Sequence, residues 1–447
     1  MSILQILGGK LFSSQSGRMV PFSSLLIEGE KISAISLVDE KIPHLPEAKI
    51  IDARGKFLLP GFIDAHVHLV HVLRDFRVTA DSLLPLFLAN GITSVRNVGD
   101  EIYSQKLLAN AAERNPLSSP QIFMGSPLIE GPHPYHPFVS TSITDPRKVP
   151  DFVEEMCDWG VQTFKLYSSV TRPVGRAIIQ EAHRRGKSVT AHLQWTYRAQ
   201  EAISDGIDCL EHTESLLEFL LPPGSPRWPE LHERAAILPE QLRALERDLL
   251  RIKSELDVHG ESVSNLIEAM VKHAVALTPT LVVYRNWVLL RDQPEIVNHP
   301  DLQSVPRKLL DGWRALDQNF PLQDDLRELR VRQFEILNEL TKRLYDGGVE
   351  LLVGTDSPVP FCPPGGSMHQ EFELLVACGI PPSAVLSGAT RSAARILGQS
   401  DRLGEIAEGK LADLIILDRD PLEDIRNTRS IDTVIRRGRI VPLPARI

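Results

Sequence analysis

Short apolar runs separated by turn residues open the chain: Gln5-Ile6-Leu7, Ser23-Ser24-Leu25-Leu26-Ile27 and Lys31-Ile32-Ser33-Ala34-Ile35. Glu28-Gly29-Glu30 between the last two suits a tight hairpin. The same pattern returns near the C-terminus in Ala412-Asp413-Leu414-Ile415-Ile416-Leu417 and Thr433-Val434-Ile435-Arg436-Arg437-Gly438. Neither end is large enough to bury a sheet by itself, so together they predict one small β-sandwich domain, residues 1–57 plus 405–447.

Between the ends, apolar runs of strand length alternate with helical patterns, which predicts a parallel α/β barrel over residues 58–404. Candidate strands are Phe57–His68, Ser94–Val98, Ile122–Ser126, Thr163–Tyr167, Val189–His192, Cys209–His212, Ala276–Val282 and Leu351–Thr355. Eight is the number a TIM-type (β/α)8 barrel needs. Gly91, Gly160, Gly186, Gly206 and Gly348 precede several of them, where a helix should stop and a short loop begin. Two stretches, about 214–275 and 285–345, exceed the repeat and are rich in Leu, Glu and Arg at helical spacing. They read as extra outer helices or an oligomer contact. Because they leave strands six and seven on the catalytic face, a lid is the sharper reading.

Composition narrows the function classes. In 447 residues, a hydrophobic content of 43% and a charged content of 24% are ordinary for a globular protein. A net charge of -9 argues against a nucleic-acid binder. Cys157, Cys209, Cys362 and Cys378 lack metal-finger or CxxC spacing and read as free thiols in a reducing compartment. No apolar stretch reaches the roughly 20 residues that span a bilayer. The N-terminus reads as a strand rather than a leader, so a cytoplasmic protein is expected.

The chemistry is concentrated in His66 and His68, which close an apolar run. Residues two apart on a strand face the same side, so both imidazoles can reach one metal ion. Lys165, His192, His212 and Asp356 each sit where a later strand should end. Side chains at those ends converge on one mouth of a barrel, and the combination reads as a metallohydrolase.

The motifs resemble the amidohydrolase superfamily along nearly the whole chain. The resemblance is carried by Ile51-Asp52-Ala53-Arg54-Gly55, Pro60-Gly61-Phe62-Ile63-Asp64-Ala65-His66-Val67-His68, Thr163-Phe164-Lys165-Leu166-Tyr167, Thr190-Ala191-His192 and Glu211-His212. Gly354-Thr355-Asp356-Ser357 and the run Leu403–Leu414 complete it. It implies a two-metal site, with His66, His68 and Asp356 on one ion, His192 and His212 on the other, and carboxylated Lys165 as the bridge. An ammonium has no acceptor, whereas a carbamate formed on the neutral amine by carbon dioxide offers two anionic oxygens. Imidazole and carboxylate ligands suit zinc first, with manganese, cobalt or iron as alternatives.

By the same resemblance, a hydroxide bridging the metals attacks an amide carbonyl, and Asp356 moves a proton to the leaving nitrogen. The branch it resembles is that of imidazolonepropionase-related prolidases and Arg/Lys carboxypeptidases, metallopeptidases that imply a dipeptide or N-acyl amino-acid substrate. A cyclic-amide hydrolase or a lactonase is the alternative. Arg96, His136, Tyr167 and Tyr284 are candidate substrate contacts, since Arg, His and Tyr suit a carboxylate or a developing oxyanion.

Overall fold

The computed structural model describes residues 3–38, 46–132, 134–193, 196–221, 239–319 and 322–443. Strands from both chain ends form one mixed sheet. Ile3–Leu7 pairs antiparallel with Arg18–Glu28, and Leu414–Leu417 pairs antiparallel with both Phe57–Pro60 and Ile431–Arg436. This sheet keeps its own core, in which Ile6, Phe22, Leu25, Leu58, Leu414 and Ile435 are buried together.

The run expected as one strand over 57–68 is two. Phe57–Pro60 belongs to the sheet of the chain ends, and Phe62–Val67 is the first barrel strand, β1. Gly61 makes the switch, because a Cβ there would collide with Thr93. The barrel continues through β2 (Ile92–Asn97), β3 (Gln121–Glu130), β4 (Thr163–Leu166), β5 (Ser188–Ala191), β6 (Cys209–Glu211) and β7 (Ala276–Thr278), each parallel to its neighbour. The seventh strand stops before its expected end at Val282. Pro279 has no amide donor, Thr280 is left-handed at φ 50°, and Leu281–Val283 is helical.

An eighth segment closes the barrel without becoming a regular strand. Leu351 bridges Leu277 of β7, and Ser357 bridges Val67 of β1. Within it the Leu352 amide donates to the Leu277 carbonyl, and the Val353 carbonyl accepts from Ala65. Gly354 permits this approach, since a Cβ would lie 2.7 Å from the His66 Cβ and 2.9 Å from its amide nitrogen. The fold is thus the expected (β/α)8 type, closed by an irregular last member.

The first long insertion contains helices Thr213–Leu220, Pro239–Ser254 and Glu261–Lys272, and its Pro-Pro-Gly and Trp228-Pro229 breaks lie outside the described residues. Helices Arg307–Asn319 and Arg327–Asp346 occupy the second. A buried ion pair of 2.7 Å between Lys253 and Glu214 ties two helices of the first insertion, Pro239–Ser254 and Thr213–Leu220, to each other. No helix among the described residues is long and apolar enough to cross a membrane.

Candidate active site

The C-terminal ends of the strands bring all six sequence-predicted ligands together. His66 and His68 approach within 3.2 Å through their Nε2 atoms. The Asp356 Oδ1 lies 3.1 Å from His68 Nε2 and 3.5 Å from His66 Nε2. Ligand atoms of this trio all fall within 4.8 Å of one another. The imidazoles continue inward: the His66 and His212 ring centres are 4.7 Å apart, and those of His212 and His192 are 4.4 Å apart.

Two of these residues reach the cluster by breaking strand geometry. Successive side chains on a strand face opposite ways, yet Glu211 and His212 both point inward. His212 does so with φ 65°, and Asp356 adopts φ 60° one residue after Thr355. Non-glycine residues rarely hold this conformation, and such strain collects at functional sites.

The chemistry of the donor set fits divalent cations. Lys165 Nζ and His192 Nε2 are buried with no hydrogen-bond partner, an arrangement a protein interior rarely tolerates without a further ligand. Burial draws His66 down to about 4, which leaves it neutral with a free lone pair near pH 7. Burial also draws the Lys165 amine down to about 8, so that Lys165 gives up its proton far more readily than an exposed lysine. Burial opposes ionisation of Asp356, but His66 and His68 hold its carboxyl well below the usual range. Among the described residues, His66, His68 and Asp356 form a group that could hold a metal ion, with Lys165, His192 and His212 beside it.

Three supporting acids escaped the sequence reading. Glu211 accepts from His66 Nδ1 at 2.7 Å, from Arg96 at 2.6 Å and from the Thr190 hydroxyl. Asp64 accepts from the Thr355 hydroxyl at 2.7 Å and from the His66 amide at 3.2 Å, locking β1 to the closing segment. Glu130 accepts from the Tyr135 amide at 2.9 Å and the Ser140 hydroxyl at 2.8 Å, fastening the loop that follows β3. Glu211 and Asp64 both lie within motifs that resemble the superfamily, and what the sequence hides is the direction of their side chains.

A cavity of about 670 Å³ opens above the cluster, with His68, Lys165, His192, His212 and Asp356 at its base. His136, Tyr167 and Tyr284 line it, as their sequence positions suggested. Burial raises both tyrosine hydroxyls well above their ordinary range, and the Glu214 charge raises Tyr284 further, so both remain donors. Arg96 corrects the expectation of a substrate contact. It is fully buried beneath the cluster, with its guanidinium committed to Glu211 and the Ala65 carbonyl. β2 points it into the barrel interior, so it supports the histidines from below. Among the described residues, the second insertion gives Trp287 and Val288 to the cavity wall and the first gives none.

The Amidohydrolase family model matches residues 57–441, and the chain belongs to that family. The chain spans about a third of the length of two curated relatives. One is an adenine deaminase of Rubrobacter xylanophilus, 27% identical over 203 residues, with 43% of this chain and 32% of that protein covered. The other, amidohydrolase tasK of Hapsidospora irregularis, is 24% identical, with 87% of this chain and 37% of that protein covered. An imidazolonepropionase of Stenotrophomonas maltophilia is 23% identical, with 84% and 81% covered. Among solved structures, a Xaa-Pro dipeptidase with bound methionine superposes at a TM-score of 0.68, 21% identical, covering 98% of this chain and 99% of that one. The imidazolonepropionase and the Xaa-Pro dipeptidase match the branch that the sequence motifs resemble.

Proposed function

We propose that this chain is a two-metal amidohydrolase that cleaves the amide bond of a dipeptide or an N-acyl amino acid. The observation that carries the reading is the convergence of His68, His192, His212, Asp356 and an unpartnered Lys165 Nζ at the base of one cavity, with His66 buried directly against them. The Xaa-Pro dipeptidase neighbour supports the peptide side of it.

Lys165 is set up for carboxylation. The ammonium first releases a proton to solvent. The neutral amine then adds to carbon dioxide, the N–C bond forming as one C=O π bond opens onto oxygen, and a second proton leaves to solvent. Divalent ions, most suitably zinc, would supply a water ionised near neutral pH and a polarised substrate carbonyl. Asp356, ionised and bordering the cavity, would accept a proton on a carboxylate oxygen and pass it to the leaving nitrogen. Tyr167, Tyr284 and His136 stand around the base as hydrogen-bond partners for the substrate carbonyl or carboxylate.

The imidazolonepropionase relative favours a second reading, hydrolysis of a cyclic amide by the same residues. A screen of dipeptides, N-acyl amino acids, cyclic amides and lactones, with zinc and bicarbonate supplied, separates them. Turnover of dipeptides or N-acyl amino acids is expected. Turnover confined to lactones overturns the amide assignment.

A further inference from the structure

Above the histidine cluster the cavity changes character. Phe138 and Val139 from the loop after β3 form one apolar wall and Val283, Trp287 and Val288 after β7 form the other, with His71, Arg74 and Asp75 lining the space beside them. The second wall is coiled as a wide helix over Tyr284–Leu289, a form that recurs at functional sites. Phe138 is 79% exposed and Val288 41% exposed, an unfavourable placement for large apolar groups unless something covers them.

A guanidinium lies against each aromatic ring, that of Arg74 within the cavity lining itself and that of Arg291 buried. The Arg74 guanidinium stacks 5.8 Å from the Phe138 ring and is itself paired with Asp75 at 2.8 Å. The Arg291 guanidinium lies 4.5 Å from the Trp287 ring and is anchored to Asp317 at 2.8 Å. Glu130 fastens the loop base, so Phe138 projects from an ordered rim. Apolar surface held this way costs little further ordering when a ligand covers it.

We propose that this mouth is a specificity subsite for a large apolar or aromatic group of the substrate, an inference that rests on the amide-hydrolase reading. A cavity of about 670 Å³ exceeds what the polar base needs for a small amide. The apolar walls continue directly from that base, so one extended substrate spans both. Small dipeptides and acetylated amino acids would leave the walls wet, whereas a phenyl or long alkyl group would bury Phe138, Trp287 and Val288.

Calorimetric titration of the zinc-loaded protein with acetate, hexanoate and 3-phenylpropionate reads the subsite without turnover. The dissociation constant should fall by about tenfold or more from acetate to 3-phenylpropionate, with a negative heat-capacity change. Phe138→Ser and Trp287→Ala should each remove much of that gain, and the exposed Phe138 can be replaced without disturbing the core. Equal affinities along the series, or an unchanged gain in both variants, would overturn the subsite. Absence of amide turnover alongside an intact gain would remove the amide reading and leave the subsite standing.

Discussion

The Glu211 carboxylate accepts from His66 Nδ1 at 2.7 Å, and both side chains are sealed inside the barrel. Burial opposes the ionised acid, but Arg96 and His66 hold Glu211 well below its usual range, so it is purely an acceptor. The imidazole proton therefore sits on Nδ1, and Nε2 turns its lone pair toward His68 and Asp356. His68 repeats the arrangement with the Gly99 carbonyl at 3.3 Å, and His212 with the Thr280 hydroxyl at 2.6 Å. Partners of this kind orient histidines that bind metal ions, the role proposed for this set.

Replacing Glu211 should weaken ion binding without touching a ligand. Glu211→Ala is expected to lower affinity by about 10- to 100-fold. It also strands the buried Arg96, at a cost of about 3–5 kcal/mol. Glu211→Gln keeps an acceptor and should lose less of both. Chelator competition and denaturant melts measure the two effects separately.

Asp356→Asn retains a side chain of the same shape but removes the base. Turnover should fall by about 10²–10⁴-fold with the variant still folded. Steady-state rates, taken alongside metal content, decide it. Near-normal rates would move the proton-transfer role to another group.

Gly354→Ala tests the closing segment. The added Cβ meets β1 at His66, so stability should drop by about 1–3 kcal/mol and ion affinity should fall with it. Thermal melts and chelator competition on the one variant check both.

Much of this arrangement is written locally in the chain. His66 and His68 announce a same-face pair, and the apolar runs announce parallel strands. Lys165, His192 and His212 could be placed because each lies in or just after a short β-rich run. Glu211, Asp64 and Arg96 were opaque for one shared reason. Their partners lie 145, 291 and 115 residues away in sequence, and only barrel closure brings them together. The split at Gly61 was hidden as well, because two consecutive strands in different sheets read as one apolar run.

Glu371 provides a pH test away from the proposed metal ligands. It accepts from the Leu281 and Val282 amides, and burial raises its carboxyl to about 8. The folded state therefore binds a proton more tightly than the unfolded one. Its contribution to stability is complete below about 4.5 and is lost as pH rises through about 8. Glu371→Gln should flatten this fall, read as the difference in melting temperature between wild type and variant at pH 5 and pH 8.

The most direct test of the whole account is metal stoichiometry after loading with zinc and bicarbonate. The wild-type chain should hold about two ions, and Lys165→Met or His192→Ala should reduce that number. A chain that holds no zinc, or whose zinc content ignores both substitutions, would contradict a metal centre built on these residues.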